Sequence, residues 1–322
     1  MSNAKGSKAG GASSAASTAA ADGPAVLYSS APDGVATITF NRPRRLNGWS
    51  KDVIAAMSAA LKRASDSPDV KVVILTAVGR YYGAGADFSD QTSGPMRPSK
   101  LVANAYATNK AIFGAYIACT KPIIVAAQGP MLGGAVTTAC SLSEAVLATP
   151  NVTLQVPFKQ LGLAPEGCAE YTWPLRLRGG QNDADRLLKE GQKVTAHEAL
   201  SMGLIDEILP DQPSLLARAN ARAREWLAAH TASSGGGAAV VPRWVLVPAY
   251  QKEIATHFDG DAAKFVAKLH AVNEAESRRL ARSIMSPSFL AMQSRLMAKK
   301  GNACLGWTFW LMAPFGPLLA NL

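Results

Sequence analysis

Apolar positions along the chain follow two periods. Residues 25–30 and 34–40 alternate, with Ala36, Ile38 and Phe40 on one side and Val35, Thr37 and Thr39 on the other, around a Pro32-Asp33-Gly34 turn. That is the pattern of two paired strands with one face more deeply buried. Val70 to Thr76 and Lys121 to Ala127 are nearly unbroken apolar runs rich in β-branched residues, as expected of strands covered on both faces. Further strands are predicted at about 144–149, 152–156 and Leu204–Leu209.

Between these runs the period changes to that of a helix. Ser50 is placed as N-cap of a helix to about Ser65, with Val53, Met57 and Leu61 on one face. Helices are also predicted over 100–118, from the glycine turn before Ala135 to about Cys140, over 168–176 and 181–189, and from Thr195 to Met202. After Pro210 the pattern is helical only, at 213–231, 243–257, 261–284 and 287–300, with a flexible Ser233-Ser234-Gly235-Gly236-Gly237 link. In the third of these helices Phe265, Leu269, Val272, Leu280 and Ile284 form an apolar stripe. Such a stripe is satisfied by the chain's own core or by a second subunit. The whole predicts an α/β core over residues 25–210, a helical region over 211–300, a disordered Ala/Ser/Gly-rich tail over 1–24 and an apolar tail over 301–322.

Composition narrows the classes. With 322 residues and 48% hydrophobic content, the chain is long enough to bury a sizeable core. Its four cysteines, Cys119, Cys140, Cys168 and Cys304, are far apart and contain no CxxC pair, which argues against a disulfide framework or a zinc site. No apolar run reaches the ~18 residues of a membrane helix, and Leu305–Leu322 is broken by Gly306, Pro314, Gly316 and Pro317. The first 23 residues have neither the apolar segment of a secretory signal nor the arginines of a mitochondrial presequence. A formal net charge of +10 suits an anionic partner such as nucleic acid, an acidic surface or a phosphorylated small molecule, or a merely soluble basic protein. No RNA-binding motif or aromatic stacking platform accompanies the charge, so no nucleic-acid partner is expected.

Three stretches carry candidate chemistry. Tyr81-Tyr82-Gly83-Ala84-Gly85-Ala86-Asp87-Phe88 is a small-residue turn shortly after a buried strand, where a ligand can reach main-chain N–H groups. Gln128-Gly129-Pro130-Met131-Leu132-Gly133-Gly134-Ala135 joins a strand to a helix start, a combination that favours negative charge. The third is Leu161 to Pro174, in which Pro165 and Gly167 flank the carboxylate of Glu166. Rigid, and beside apolar neighbours, Glu166 suits a general base whose pKa is lifted by desolvation. It also suits an ordinary helix-start glutamate favoured by the helix dipole. Glu170, four residues on, is expected to face solvent. The four histidines, His197, His230, His257 and His270, lie in helical segments outside every motif.

In their order, these stretches resemble the crotonase, or enoyl-CoA hydratase/isomerase, superfamily, and most of all its peroxisomal-type Δ3,Δ2-enoyl-CoA isomerases. The resemblance runs over about residues 25 to 300, from Phe40-Asn41-Arg42-Pro43 through both glycine turns to Gly203-Leu204-Ile205-Asp206, with Asn273-Glu274-Ala275-Glu276 fitting the C-terminal helix. It implies a spiral of ββα units with C-terminal helices that pack trimers, in some members hexamers, and an acyl-CoA substrate. It further implies Glu166 as base, the Ala86 and Gly134 N–H groups as an oxyanion hole, and Gly85, Asp87, Phe88 and Gly133 around the substrate. Arg42, Arg44 and Arg45 are candidates for the coenzyme A phosphates, or form a solvated basic loop. Lys299 and Lys300 are candidates for a neighbouring subunit's ligand.

The implied reaction requires no metal or redox cofactor, coenzyme A being part of the substrate. The two glutamates that hydratases of the superfamily use to activate water fall on Thr137 and Phe158, so both are missing. The loop Leu46-Asn47-Gly48-Trp49 also departs from the commoner Asn-Ala form, leaving the adenine contacts open. The implied activity is transfer of the double bond of a 3-enoyl-CoA to position 2 in fatty acid β-oxidation. Alternatives are another enolate-forming crotonase, a dienoyl-CoA isomerase or a hydratase-like enzyme, and a non-catalytic binding member. The terminal Ala320-Asn321-Leu322 resembles a peroxisomal address with asparagine at the basic position, with mitochondrion or cytoplasm as the other compartments.

Overall fold

The computed structural model describes residues 23–87, 97–233 and 243–299. The N-terminal tail before residue 23, Phe88, most of the glycine-rich link, Lys300 and the terminal tripeptide lie outside the described residues.

The alternating runs at the start form β1 (Val26–Ser30) and β2 (Val35–Phe40), an antiparallel pair. Gly34, at φ +87°, makes the turn between them. Helix α1 (Lys51–Asp66) follows, burying Val53, Met57 and Leu61. The unbroken apolar runs become β3 (Val72–Ala77) and, after α2 (Pro98–Ala118), β4 (Ile123–Ala127). A two-residue strand β5 (Met131–Leu132) lies inside the second glycine turn, where the sequence reading placed only loop. Then come α3 (Gly134–Leu142), β6 (Ala145–Ala148), β7 (Thr153–Gln155) and the short α4 (Phe158–Leu161). The chain continues through α5 (Ala169–Arg176), α6 (Gly180–Leu188), β8 (Val194–Thr195), α7 (Ala196–Met202) and β9 (Glu207–Ile208). Thr195 and Glu198 form a reciprocal capping box at the start of α7, and Gly203 closes it in the left-handed region. Four helices finish the described chain: α8 (Gln212–Ser233), α9 (Pro248–His257), α10 (Ala262–Ser283) and α11 (Pro287–Lys299).

The strands form a six-stranded sheet in the order β1-β2-β3-β4-β6-β9, parallel except for β1, and a second sheet β5-β7-β8. Both faces of the larger sheet are dry, which accounts for the unbroken apolar runs. Val73 and Leu75 of β3 join the main core, while Val72 and Ile74 pack with Leu215, Ala219 and Ala223 of α8 on the other face. The helices after Pro210 therefore complete the same core, with α8 under the sheet and α10 along α2.

The apolar stripe of α10 is used within the chain. Phe265 and Leu269 are fully buried, and Phe265 meets Tyr250, Phe258 and Trp244 at ring-centroid distances of 5.4, 5.8 and 5.9 Å. Burying an aromatic ring stabilises by about 2–3 kcal/mol, so this face is already covered. Of the two ways to satisfy the stripe, the chain's own core takes Phe265 and Leu269, with Val272 packed against it. Among the described residues, no helix is long and apolar enough to cross a membrane.

Candidate active site

Glu166 sits on a turn that only this local sequence permits. Gly167 and Cys168 both adopt positive φ, +75° and +60°. A Cβ on Gly167 would lie 2.5 Å from Thr137 Oγ1 and 2.9 Å from Phe113 Cε1, so glycine is required for space as well as for backbone angle. Upstream, the Ala164 N–H donates to Ser283 Oγ at 3.0 Å, and the Gly162 carbonyl accepts from Ser286 Oγ at 2.8 Å. The turn is thus tied to α10 and to the start of α11.

The Glu166 side chain points into a cavity of about 80 Å³ whose lining includes Trp49, Ala86, Asn109, Phe113 and Leu163. What exposure the residue retains is toward this cavity. Burial pushes its carboxyl up to about 7, against the opposing pull of the Asn109 amide. Asn109 donates its Nδ2–H to Glu166 Oε2 and accepts at Oδ1 from Ser277 Oγ, 2.8 Å away. The carboxylate, which only accepts, sets the amide end that faces it, and the Ser277 hydroxyl donates to the other end. Asn273 completes the network, its Nδ2 donating to the Lys110 carbonyl at 3.0 Å.

The two glycine turns meet opposite this carboxylate. The first is pinned by the Trp49 N–H to the Gly85 carbonyl at 2.8 Å and the Asp87 N–H to the Trp49 carbonyl at 3.2 Å. That register turns the Ala86 N–H away from its neighbour strand, and it has no acceptor among the described residues. In the second turn, the Leu132 N–H donates to the Gly83 carbonyl and the Gly133 N–H to the Gln155 carbonyl, each at 2.9 Å. Gly134 then opens α3, its own N–H without an acceptor among the described residues, as first-turn groups are within a helix. Gly85, at φ +72°, brings the turns into contact, since a Cβ there would lie 2.7 Å from the Leu132 carbonyl oxygen. A Cβ on Gly134 would lie 2.6 Å from Trp49 Cζ3 and 3.2 Å from Glu166 Oε1. Glu166 and Ala86 therefore line one small, largely apolar cavity, and Gly134 lies beside the Glu166 carboxyl.

A model of the enoyl-CoA hydratase/isomerase family matches residues 30–237, more than half of the chain. The chain belongs to the enoyl-CoA hydratase/isomerase family. It is 35% identical over 187 residues to enoyl-CoA delta isomerase 2 of Homo sapiens, a match covering 58% of this chain and 46% of the relative. To enoyl-CoA delta isomerase 3, peroxisomal, of Mus musculus it is 34% identical over 179 residues, covering 56% and 55%. The chain thus spans about half the length of these curated relatives. The enoyl-CoA hydratase/isomerase structure from Pseudoalteromonas atlantica T6c covers 85% of this chain and 97% of its own, with a TM-score of 0.65 and 24% identity. An enoyl-CoA hydratase structure from Mycobacterium avium subsp. paratuberculosis gives 0.63 and 23%, covering 84% and 96%. Both share the crotonase fold.

In this family member the basic loop divides. Arg42 is turned inward, donating to the Gly23 carbonyl at 2.6 Å and pairing with Asp52 at 2.9 Å. Its guanidinium ties the segment before β1 to α1. Arg45 pairs with Asp87 at 2.7 Å, fastening the basic loop to the first glycine turn. Arg44 is exposed and has no ion-pair partner among the described residues. Asn47, buried and at φ +52°, accepts from the Arg42 N–H and donates to the Val78 and Tyr81 carbonyls. It staples the loop. Glu170 faces solvent and pairs with Arg279. Thr137 and Phe158 are both buried.

Sequence reasoning missed Asn109, Trp49 and Ser277. Asn109 left one trace, being a polar residue in register with Ile112, Phe113 and Tyr116 on the buried face of α2. A buried amide on such a face must find partners, but nothing in the chain says that one of them is Glu166.

Proposed function

We propose that this protein is a Δ3,Δ2-enoyl-CoA isomerase in which Glu166 is the single proton carrier. The observation that supports the reading is one desolvated carboxylate in an apolar cavity shared with Ala86 and next to Gly134. Removing a proton from C2 of a 3-enoyl thioester leaves a dienolate whose charge gathers on the thioester oxygen. In this reading the Ala86 and Gly134 N–H groups, the latter at the start of α3, receive that oxygen. Glu166, now protonated, returns the proton at C4 and the double bond settles between C2 and C3. No atom is gained or lost, and the carboxylate is regenerated.

Two side chains support isomerisation over hydration. Thr137 and Phe158 occupy the positions where the resemblance puts a hydratase's glutamates, and neither activates water. Purified protein given 3-enoyl-CoA should accumulate trans-2-enoyl-CoA and stop there, as followed by chromatography of the thioesters. Appearance of 3-hydroxyacyl-CoA at a comparable rate would sink the assignment.

The base must be unprotonated to act. With the Glu166 carboxyl at about 7, kcat/KM should climb roughly tenfold per pH unit below that value and level off above it. Asn109→Ala removes a donor that favours the anion, so the rising limb should move to higher pH. A limb that stays in place in that variant would show that Asn109 does not tune the base. The same reading includes trimers or hexamers and, after the peroxisomal relative, a peroxisomal location.

A further inference from the structure

Glu276 is a carboxylate with no part in the chemistry above, yet it is completely buried. It lies on α10, 108 residues from the group it holds. Its Oε2 accepts from the Cys168 N–H at 2.6 Å, and its Oε1 from the Glu170 N–H at 3.4 Å. These donors belong to the first turn of α5, where N–H groups have no partner within the helix. Cys168 is the cap residue, is left-handed, and its side chain makes no capping bond. A serine or asparagine there would cap locally. Here the cap comes from another helix, as a buried carboxyl whose charged form is opposed by desolvation and by Glu170, and favoured by the two N–H groups and Arg279.

The held peptide begins two residues after Glu166. Since Gly167 and Cys168 are consecutive positive-φ residues, small changes in their angles would swing the Glu166 side chain; besides Glu276, the Ala169 N–H to the Glu166 carbonyl and the Cys168 Sγ to the Leu269 carbonyl, each at 3.4 Å, hold the turn before α5. The next residue on α10, Ser277, orients Asn109, which in turn holds the Glu166 carboxylate. Neighbouring side chains of one helix therefore grip the base by its backbone and by its carboxyl group.

We infer that Glu276 is a positioning residue, clasping the start of α5 so that Glu166 stands in line with the two backbone donors. This rests on Glu166 being the base, as proposed above. Because reacting atoms displaced by about 1 Å lose roughly 10²-fold in rate, Glu276→Ala should lower kcat about 10- to 100-fold. KM should change by no more than about twofold, since the cavity walls remain. Glu276→Gln keeps an acceptor for the Cys168 N–H and should recover most of that loss.

A second readout needs no turnover. The Glu166 carboxyl, titrated by carbon-13 NMR, should fall from about 7 toward the ordinary carboxylate range in Glu276→Ala, as water enters the loosened turn. A folded Glu276→Ala protein with wild-type kcat, a glutamine variant as slow as the alanine one, or an unmoved Glu166 titration overturns the inference. Should the alanine variant fail to fold, Glu276→Asp, which withdraws the oxygens by one methylene, decides. Reduced kcat at constant KM supports the clasp, and wild-type kcat refutes it. Wild-type protein inactive on 3-enoyl-CoA would count against the proposed reaction alone, with the NMR titration still deciding the clasp.

Discussion

Glu166→Gln should lose about 10²- to 10⁴-fold in kcat on 3-enoyl-CoA, the range spanned by general acid–base catalysis. Glutamine keeps the length and shape of the side chain and still offers an oxygen to the Asn109 amide, but it accepts no proton from C2. Binding should change little, because the Ala86 and Gly134 donors are main-chain groups that the substitution leaves in place. Stability separates this outcome from damage to the fold. The wild-type carboxyl is raised from 4.5 to about 7 on folding, so between those values the native state holds a proton that the unfolded chain has lost. Stability is then fully present below the unfolded value and declines as pH rises toward 7. Glutamine pays no such penalty, and calorimetry at pH 8 should give the variant a Tm equal to or above that of the wild type. A variant that isomerises at the normal rate would remove Glu166 from the mechanism.

Gly134→Ala should be nearly as damaging by a different route. Its N–H survives, but the new methyl would stand 2.6 Å from Trp49 Cζ3 and 3.2 Å from Glu166 Oε1. Trp49 cannot retreat freely, because its ring stacks on Phe40 at 6.5 Å and tilts against Phe113 at 6.3 Å. The methyl therefore fills the space between base and donor that the reacting carbons must occupy. Loss of an oxyanion donor costs about 10²- to 10³-fold, and kcat/KM should fall by a similar factor. Overpacking should also remove about 1–3 kcal/mol of stability, measurable by urea unfolding. Unchanged kcat/KM would mean that the substrate does not pass between Gly134 and Glu166.

Elements with a clean period were legible in the sequence. The strands at Val72–Ala77 and Ile123–Ala127 and the buried face of α1 followed from spacing alone, since periodicity reports burial directly. Two-residue strands such as Met131–Leu132 were not, because so short a segment has no period and exists only through its partner Thr153–Gln155. At the site, the glycine turns and Glu166 were legible because their backbone demands are written in local residue types. The Asn109–Ser277 pair, separated by 168 residues, was not, because a hydrogen bond across the fold leaves no local mark. For Arg42 only the charge was legible. Its bonds to the Gly23 carbonyl and Asp52 leave no mark in the local sequence.

The dependence of Glu166 on α10 has a consequence for the order in which the protein matures. As the chain leaves the ribosome, every strand of both sheets and both glycine turns emerge before α10 does. Contacts over 108 and 168 residues form late, because closing so long a loop is entropically costly. Both glycine turns are thus synthesised before the helix that anchors Glu166. On the proposed reading of Glu166 as base, its anchoring is therefore the last step in assembling the site, set by the docking of α10.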